Sequence, residues 1–384
     1  MSGTITRRDL LERAALSGAA FALPGLLAAC GGDDEEAGAT TGAQQQLKDV
    51  LNFSNWPYYM DVKGKKHPTL DQFKAKTGVK VNYYEDVNSN DEYFAKVQGR
   101  LSKGQGIGRD IMVATDNSRF PAVYVDQGWV QELDKDLIPN AANLIETQAS
   151  PPFDPERKYS LPWLSGMDGI AWNSKLTGPI TSITQLFEDP KLKGKVTVFS
   201  EMADTIGLVL LDNGDDPAKV TDAAFDRALE RVQAAVDSGQ IRRFTGNDYV
   251  QPLATGNLVA CVAWGGDVAQ ALPDNPHLRW ALPAKGGIIW TDNMLIPTGG
   301  DVPTASTYMN FVYDPKIAAQ IAIGTSYITS VEGVRAEAVK LDPDIAKNQL
   351  VFPNEETLSK VHFNDPEMVN NDDYITRWQK VQGQ

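Results

Sequence analysis

Basic residues are scarce in this chain: 36 lysines and arginines stand against 50 aspartates and glutamates, for a formal charge of −14 over 384 residues. So acidic a body argues against nucleic acid as a partner and favours encounter with cations. Cysteine is rarer still, with only Cys30 and Cys261. Cys261 lies in the apolar run LVACVAW, a core position rather than a nucleophile's, and lipidation of Cys30 would leave no pair for a disulfide. The histidines His67, His277 and His362 are scattered, and neither an HExxH motif nor paired cysteines occur. Nothing in the spacing therefore calls for a zinc site, a Ser/His/Asp triad or a cofactor. Long apolar runs are missing too. The stretch Ala14 to Ala29, interrupted by Pro24, falls short of the roughly 20 residues that span a bilayer.

That short stretch has another reading. Arg7 and Arg8 in TRRDLL precede it, and Leu27-Ala28-Ala29-Cys30 ends it. Paired arginines ahead of an apolar core resemble a twin-arginine signal, although Asp9 and Glu12 are unusual beside one. Leu-Ala-Ala-Cys resembles a lipobox, in which the cysteine is lipidated and becomes the new N-terminus. Residues 1–29 are thus expected to be a signal peptide, with Cys30 a lipid anchor at the outer face of the cell membrane or in the periplasm. Residues 30–46, GGDDEEAGATTGAQQQ after the cysteine, are small and polar, and are expected to form a flexible tether.

Order is expected from Leu47. Val50 to Ser54, Val79 to Glu85 and Asp110 to Thr115 read as strands; Thr69 to Thr77, stopped by Gly78, and Asp91 to Leu101 read as helices. A second unit follows, with strands at Gly169 to Asn173, Lys195 to Ser200, Leu258 to Trp264 and Leu278 to Leu282. Its long helix runs from Thr221 to Ser238, and further helices cover Thr304 to Tyr313 and Pro315 to Ser326. Such alternation predicts an α/β fold of two mostly parallel sheets flanked by helices, with a ligand cleft between them.

Aromatic and acidic residues gather at the ends of these strands, where α/β sheets bind ligands. Trp56 and Tyr59 follow the first strand, Trp264 closes LVACVAW, and Trp290 precedes Asp292 by two residues. Glu201 and Asp204 follow KVTVFS, and Asp267 comes three residues after Trp264. Each has a plainer use, the aromatics as core and the aspartates as helix caps. Together they suit an organic cation with apolar segments: ring faces attract ammonium groups by roughly 0.5–2 kcal/mol each, and carboxylates add charge-assisted bonds.

NWPYY (Asn55 to Tyr59), GVKVNYYEDVNSNDEYFAKV (Gly78 to Val97), DIMVAT (Asp110 to Thr115), FDPERKYSLPW (Phe153 to Trp163), VAWGGDVAQ (Val262 to Gln270) and GGIIWTDNMLIP (Gly286 to Pro297) carry a resemblance across the chain. It resembles the spermidine/putrescine-binding proteins of ABC transporters. The resemblance implies a two-lobed periplasmic-binding-protein-like fold (type II), and a receptor that is not an enzyme. That receptor would carry polyamines, spermidine or putrescine, to a membrane permease.

Residue by residue, the resemblance implies an aromatic box of Trp56, Tyr59, Trp264, Trp290 and Tyr327. It places Asp292 on an amine near the hinge, Glu201 and Asp204 on a second amine as in spermidine-type receptors, and Asp267 as in putrescine-type ones. Gln379 in RWQ matches a glutamine contact, and Thr115 stands where the family often has serine. The chain departs from the pattern at Asn117, where a tyrosine is usual, at the neighbouring Asp116, and at Ser165 in place of tryptophan. Both acid sets are present, which favours the three amines of spermidine over the two of putrescine. The implied lobe crossings put residues 47–166 and 291–334 in one lobe and residues 167–290 and 335–384 in the other.

Rival readings are a receptor of the same fold for ferric ion, a sugar or a quaternary amine, and a secreted hydrolase using Glu201 and Asp204. A sugar would leave several acids desolvated beside a neutral ligand. Glu201 and Asp204, three residues apart, would face a ligand from one side, whereas acid/base pairs flank a bond. A third reading is a chemosensory or regulatory receptor without transport.

Overall fold

The computed structural model describes residues 46–383. The signal segment, Cys30 and all of the expected tether except residue 46 lie outside the described residues, as does residue 384. In chain order the strands are β1 (Val50–Asn55), β2 (Lys80–Glu85), β3 (Ile111–Thr115), β4 (Val130–Gln131), β5 (Ser160–Asn173), β6 (Val196–Phe199), β7 (Ile241–Thr245), β8 (Ala260–Trp264), β9 (Leu278–Ala281), β10 (Gly287–Pro297), β11 (Ile328–Thr329) and β12 (Val361–His362).

Local rules explain the outer parts. The helix Pro68–Thr77 stops at Gly78, whose φ of 81° is the left-handed conformation a glycine supplies without strain. Ser89 caps the helix Asn90–Leu101 by accepting the Glu92 N–H. Thr221 caps the helix Asp222–Asp237 in the same way through Ala224. These crossovers let β1 pair in parallel with β2 and β3, and β6 in parallel with β7 and β8.

The middle of the molecule differs from the expectation of two separate sheets. The strands run in one hydrogen-bonded order, β2-β1-β3-β10-β5-β8-β6-β7, so the two parallel triplets are mirror placements about an antiparallel centre. That centre is β5 and β10. Expected to begin at Gly169, β5 starts at Ser160 and is buried along all 14 residues. Pro162, Gly166 and Gly169 look locally like breaks, but burial on both faces and pairing on both edges override them. Up to Met167, β5 pairs with β10; from Asp168 it pairs with β8, and from Ile170 also with β9. One strand thus serves both lobes.

Late in the chain, the helix Val334–Leu341 packs on the helix Pro315–Thr325, while β12 returns to pair with the start of β10. Cys261 is a free, fully buried thiol within β8, pushed far up by burial, as a core residue would be.

Candidate functional site

The parallel strands of both lobes end at one place. Trp56 follows β1, Thr115 ends β3, Glu201 follows β6 and Trp264 ends β8. They line a pocket of about 340 Å³, partly open to solvent, with Tyr59, Asp204, Asp267, Trp290, Asp292 and Tyr327, and with Pro57, Asn90 and Asn247, which sequence reasoning did not single out. Gln379 is elsewhere. It lines a neighbouring cavity with Asp91, Arg119 and Trp378, and Glu201 borders both.

The rings form a connected wall. Trp56 meets Trp264 at a centroid distance of 5.6 Å, Trp264 meets Trp290 at 6.2 Å, Trp290 meets Tyr327 at 5.9 Å, and Tyr327 meets Tyr59 at 4.7 Å, with interplanar angles of 50° to 81°. Tilted and edge-to-face contacts are those that aromatic quadrupoles prefer, and Phe199 stacks on Trp264 at 4.2 Å from behind. Two glycines permit the approach. A Cβ on Gly166 would come within 2.5 Å of the Trp290 ring, and one on Gly266 would collide with Tyr327. Tyr58 (φ 59°) and Ser326 (φ 58°), the neighbours of Tyr59 and Tyr327, are both left-handed. Gln270 donates to the carbonyls of Tyr58 (2.5 Å) and Thr325 (2.8 Å), holding these two turns together.

Asp292 owes its place to a β-bulge: the register of β10 against β5 shifts between Thr291 and Asn293. Bulges re-aim a side chain, and here the re-aimed residue is a carboxylate. Its Oδ1 accepts the Thr115 hydroxyl at 2.6 Å, and Thr115 in turn accepts from Asn90 Nδ2 at 3.2 Å. The backbone N–H of Asn90 donates to Glu201 at 2.7 Å, so one residue links two acidic positions. Burial pushes Asp292 up to about 7, against the opposing bonds from Thr115 and Tyr59.

Asp267 is held differently. It accepts Asn247 Nδ2 at 2.7 Å, the Tyr249 hydroxyl at 2.9 Å and the Tyr327 hydroxyl at 2.7 Å. Burial still raises it to about 7, with those three donors opposing. Asp204 accepts Asn117 Nδ2 at 3.3 Å. Burial first, and then the charge of Asp168, hold it well above the usual carboxylate range. Glu201 is raised by burial, then by Asp91 and Asp204. Asp168, absent from the sequence-based candidates, accepts the Trp290 indole N–H at 2.7 Å and lies behind the cavity wall.

Among the described residues, no lysine or arginine pairs with Asp168, Glu201, Asp204, Asp267 or Asp292. Buried carboxylates without a counter-ion must hold protons or await a cation. The cavity has no histidine or cysteine in its lining, and its rings and acids can bind a cation without performing covalent chemistry.

Asn90, Asn247 and Asp168 were missed for different reasons. Asn90 begins a helix, and Asn247 lies in a short turn whose role depends on Asp267 some 20 residues later. Asp168 sits mid-strand in a segment that sequence patterning places outside a strand.

Residues 69–353 match the bacterial extracellular solute-binding protein family. The chain is 26% identical over 343 residues to spermidine/putrescine-binding periplasmic protein 1 of Haemophilus influenzae, covering 88% of this chain and 90% of that protein. It is also 26% identical to the spermidine/putrescine-binding periplasmic protein of Escherichia coli, covering 83% and 87%. Its fold matches the crystal structure of a lipoprotein of Treponema pallidum with a TM-score of 0.70 at 20% identity, over 88% of this chain and all of the other. The chain belongs to the extracellular solute-binding protein family: it is an extracytoplasmic, two-lobed binding protein and not an enzyme.

Proposed function

We propose that this protein is the polyamine receptor of an ABC importer, taking spermidine or putrescine into the aromatic and acidic cavity and delivering it to a membrane permease. One observation carries the reading: among the described residues, the buried carboxylates of the cavity form no ion pair with a lysine or arginine, and they stand within an aromatic wall. Methylene segments suit the ring faces, and ammonium groups suit Asp292 at one end and Glu201 with Asp204 at the other. The names of the Haemophilus influenzae and Escherichia coli relatives agree with it.

The rivals fit less well. A neutral sugar would leave the carboxylates uncompensated. Ferric ion would need phenolates, but Tyr249 and Tyr327 both donate their hydroxyl protons to Asp267 and are held well above the usual tyrosine range, by burial first. Among the described residues no three His, Cys, Asp or Glu side chains converge as a metal ion requires.

Spermidine, with three ammonium groups, engages more of the acids than putrescine and is the expected tighter ligand. Gln379 would reach only a ligand extending past Glu201 into the neighbouring cavity. The lobes are proposed to divide within β5 and β10, with the third crossing moved from around Arg335, where the resemblance implies it, to after Leu341, because the helix Val334–Leu341 packs on Pro315–Thr325. Lipidation at Cys30 would keep the receptor beside its permease. Calorimetry with putrescine, spermidine, spermine and a sugar panel tests the reading. Polyamine heats without sugar heats are expected, and no heat with any polyamine would sink it.

A further inference from the structure

Asp168 is the acidic residue that the strand-end pattern leaves unexplained. It lies mid-strand, where β5 passes from pairing with β10 (Met167 opposite Ile289) to pairing with β8 (Asp168 opposite Trp264). Its side chain is fully buried. One oxygen accepts the Trp290 indole N–H at 2.7 Å, and the other has no donor among the described residues.

The groups around it are known from every side. Asp204 and Glu201 face it from the start of the helix Met202–Asn213, Trp264 from β8 and Trp290 from β10. Asp204 is within hydrogen-bonding reach of it. Beyond Glu201 stands Asp91, which faces Arg119 and Glu92. Among the described residues, no lysine or arginine forms an ion pair with Asp168. Two buried carboxyls in contact cannot both be anions unless a proton or a cation lies with them.

We propose that Asp168 is a positioning residue for the amine subsite, sharing one proton with Asp204 in the ligand-free protein and releasing it to solvent when an ammonium group is bound. The inference rests on the polyamine reading of the cavity. It gives Asp168 two tasks. It fixes the Trp290 ring through one oxygen, and through the other it keeps Asp204 neutralised until a cation arrives. Burial raises both carboxyls, which places the exchange nearer neutrality than for ordinary carboxylates. Ligand affinity then rises with pH, because the proton competes with the ammonium group.

Two measurements on the full chain test this. Carboxyl carbon NMR of ligand-free, 13C-aspartate-labelled protein should show the pair retaining a proton well above the ordinary range, and Asp168→Asn should remove that titration. The asparagine keeps an oxygen for Trp290 and presents an amide to Asp204, so it imitates the protonated form. Calorimetry with spermidine at about pH 6 and about pH 8, in buffers of different ionisation enthalpy, should show the wild type releasing about one proton more than Asp168→Asn at the lower pH and little more at the higher, with roughly a tenfold greater gain in affinity between the two. Asp168→Asn should keep only the smaller release due to Asp292 and Glu201 and show a shallower profile. A wild type that releases no proton, a variant with the same pH step, or carboxyls that ionise in the ordinary range would overturn the inference. Absent polyamine binding with the NMR titration intact would instead overturn the ligand reading while the shared proton stands.

Discussion

Asp204 and Asp267 occupy the same place in two copies of one motif. Each is the third residue of a helix that follows a parallel strand, β6 or β8. Their surroundings differ. Asp267 accepts three protein donors, Asn247, Tyr249 and Tyr327, whereas Asp204 accepts one long bond from Asn117 and confronts Asp168 and Glu201. A carboxylate satisfied by the protein anchors structure, here the Tyr327 wall. A carboxylate left short of donors among like charges is a demand for a cation.

The largest effect should come from the unsatisfied end. Replacing Glu201 and Asp204 together by Gln and Asn removes two charge-assisted contacts, and calorimetry should show polyamine affinity falling about 100-fold, or roughly 3 kcal/mol. A loss of only a few-fold would break the comparison. Asp292→Asn and Trp290→Ala should each weaken binding by roughly tenfold with the fold intact by circular dichroism, through a lost carboxylate or a lost ring face.

The same imbalance should be visible in stability. Carboxyls raised in the native protein bind more protons than they do in the unfolded chain, so folding stability is full at acid pH and lost as pH rises through their folded values. For Asp267 and Asp292 those values are about 7. The ligand-free Tm should therefore drop between about pH 5 and about pH 8, and saturating spermidine should flatten the drop. A Tm that rises over that interval would contradict the assignment. The smallest effect on binding should be that of Asp267→Asn, less than about threefold. Its cost should appear instead as a lower Tm, because an amide cannot accept all three donors and a stranded group costs about 1–3 kcal/mol. A tenfold loss of affinity would mean that Asp267 touches the ligand after all.

Much of the site was legible along the chain because carboxyl ends of parallel strands converge by construction. Glu201, Trp264 and Asp267 are each placed by a local strand-to-helix transition, and Trp56 by the end of β1. The resemblance added Tyr327 and Thr115, which no local pattern marks. Gln379 lies across Glu201 in a separate cavity, because the helix Asp372–Gln382 packs outside the aromatic wall. Asp292 could be seen as an acid near a strand, but the bulge that carries it into the cavity depends on pairing with both β3 and β5.

The sequence by itself determined the alternation of strands and helices, the caps at Ser89, Gly78 and Thr221, the acidic character, and which acids and rings stand at strand ends. All of these follow from interactions within a few residues. Only the tertiary structure decided that β5 runs unbroken through both lobes, that Asp267 is satisfied while Asp204 is not, and that Asp168 stands behind the wall against Asp204. Those outcomes depend on which distant donors and charges are brought together in a water-poor interior, where the missing partner of a buried carboxylate matters as much as the carboxylate itself.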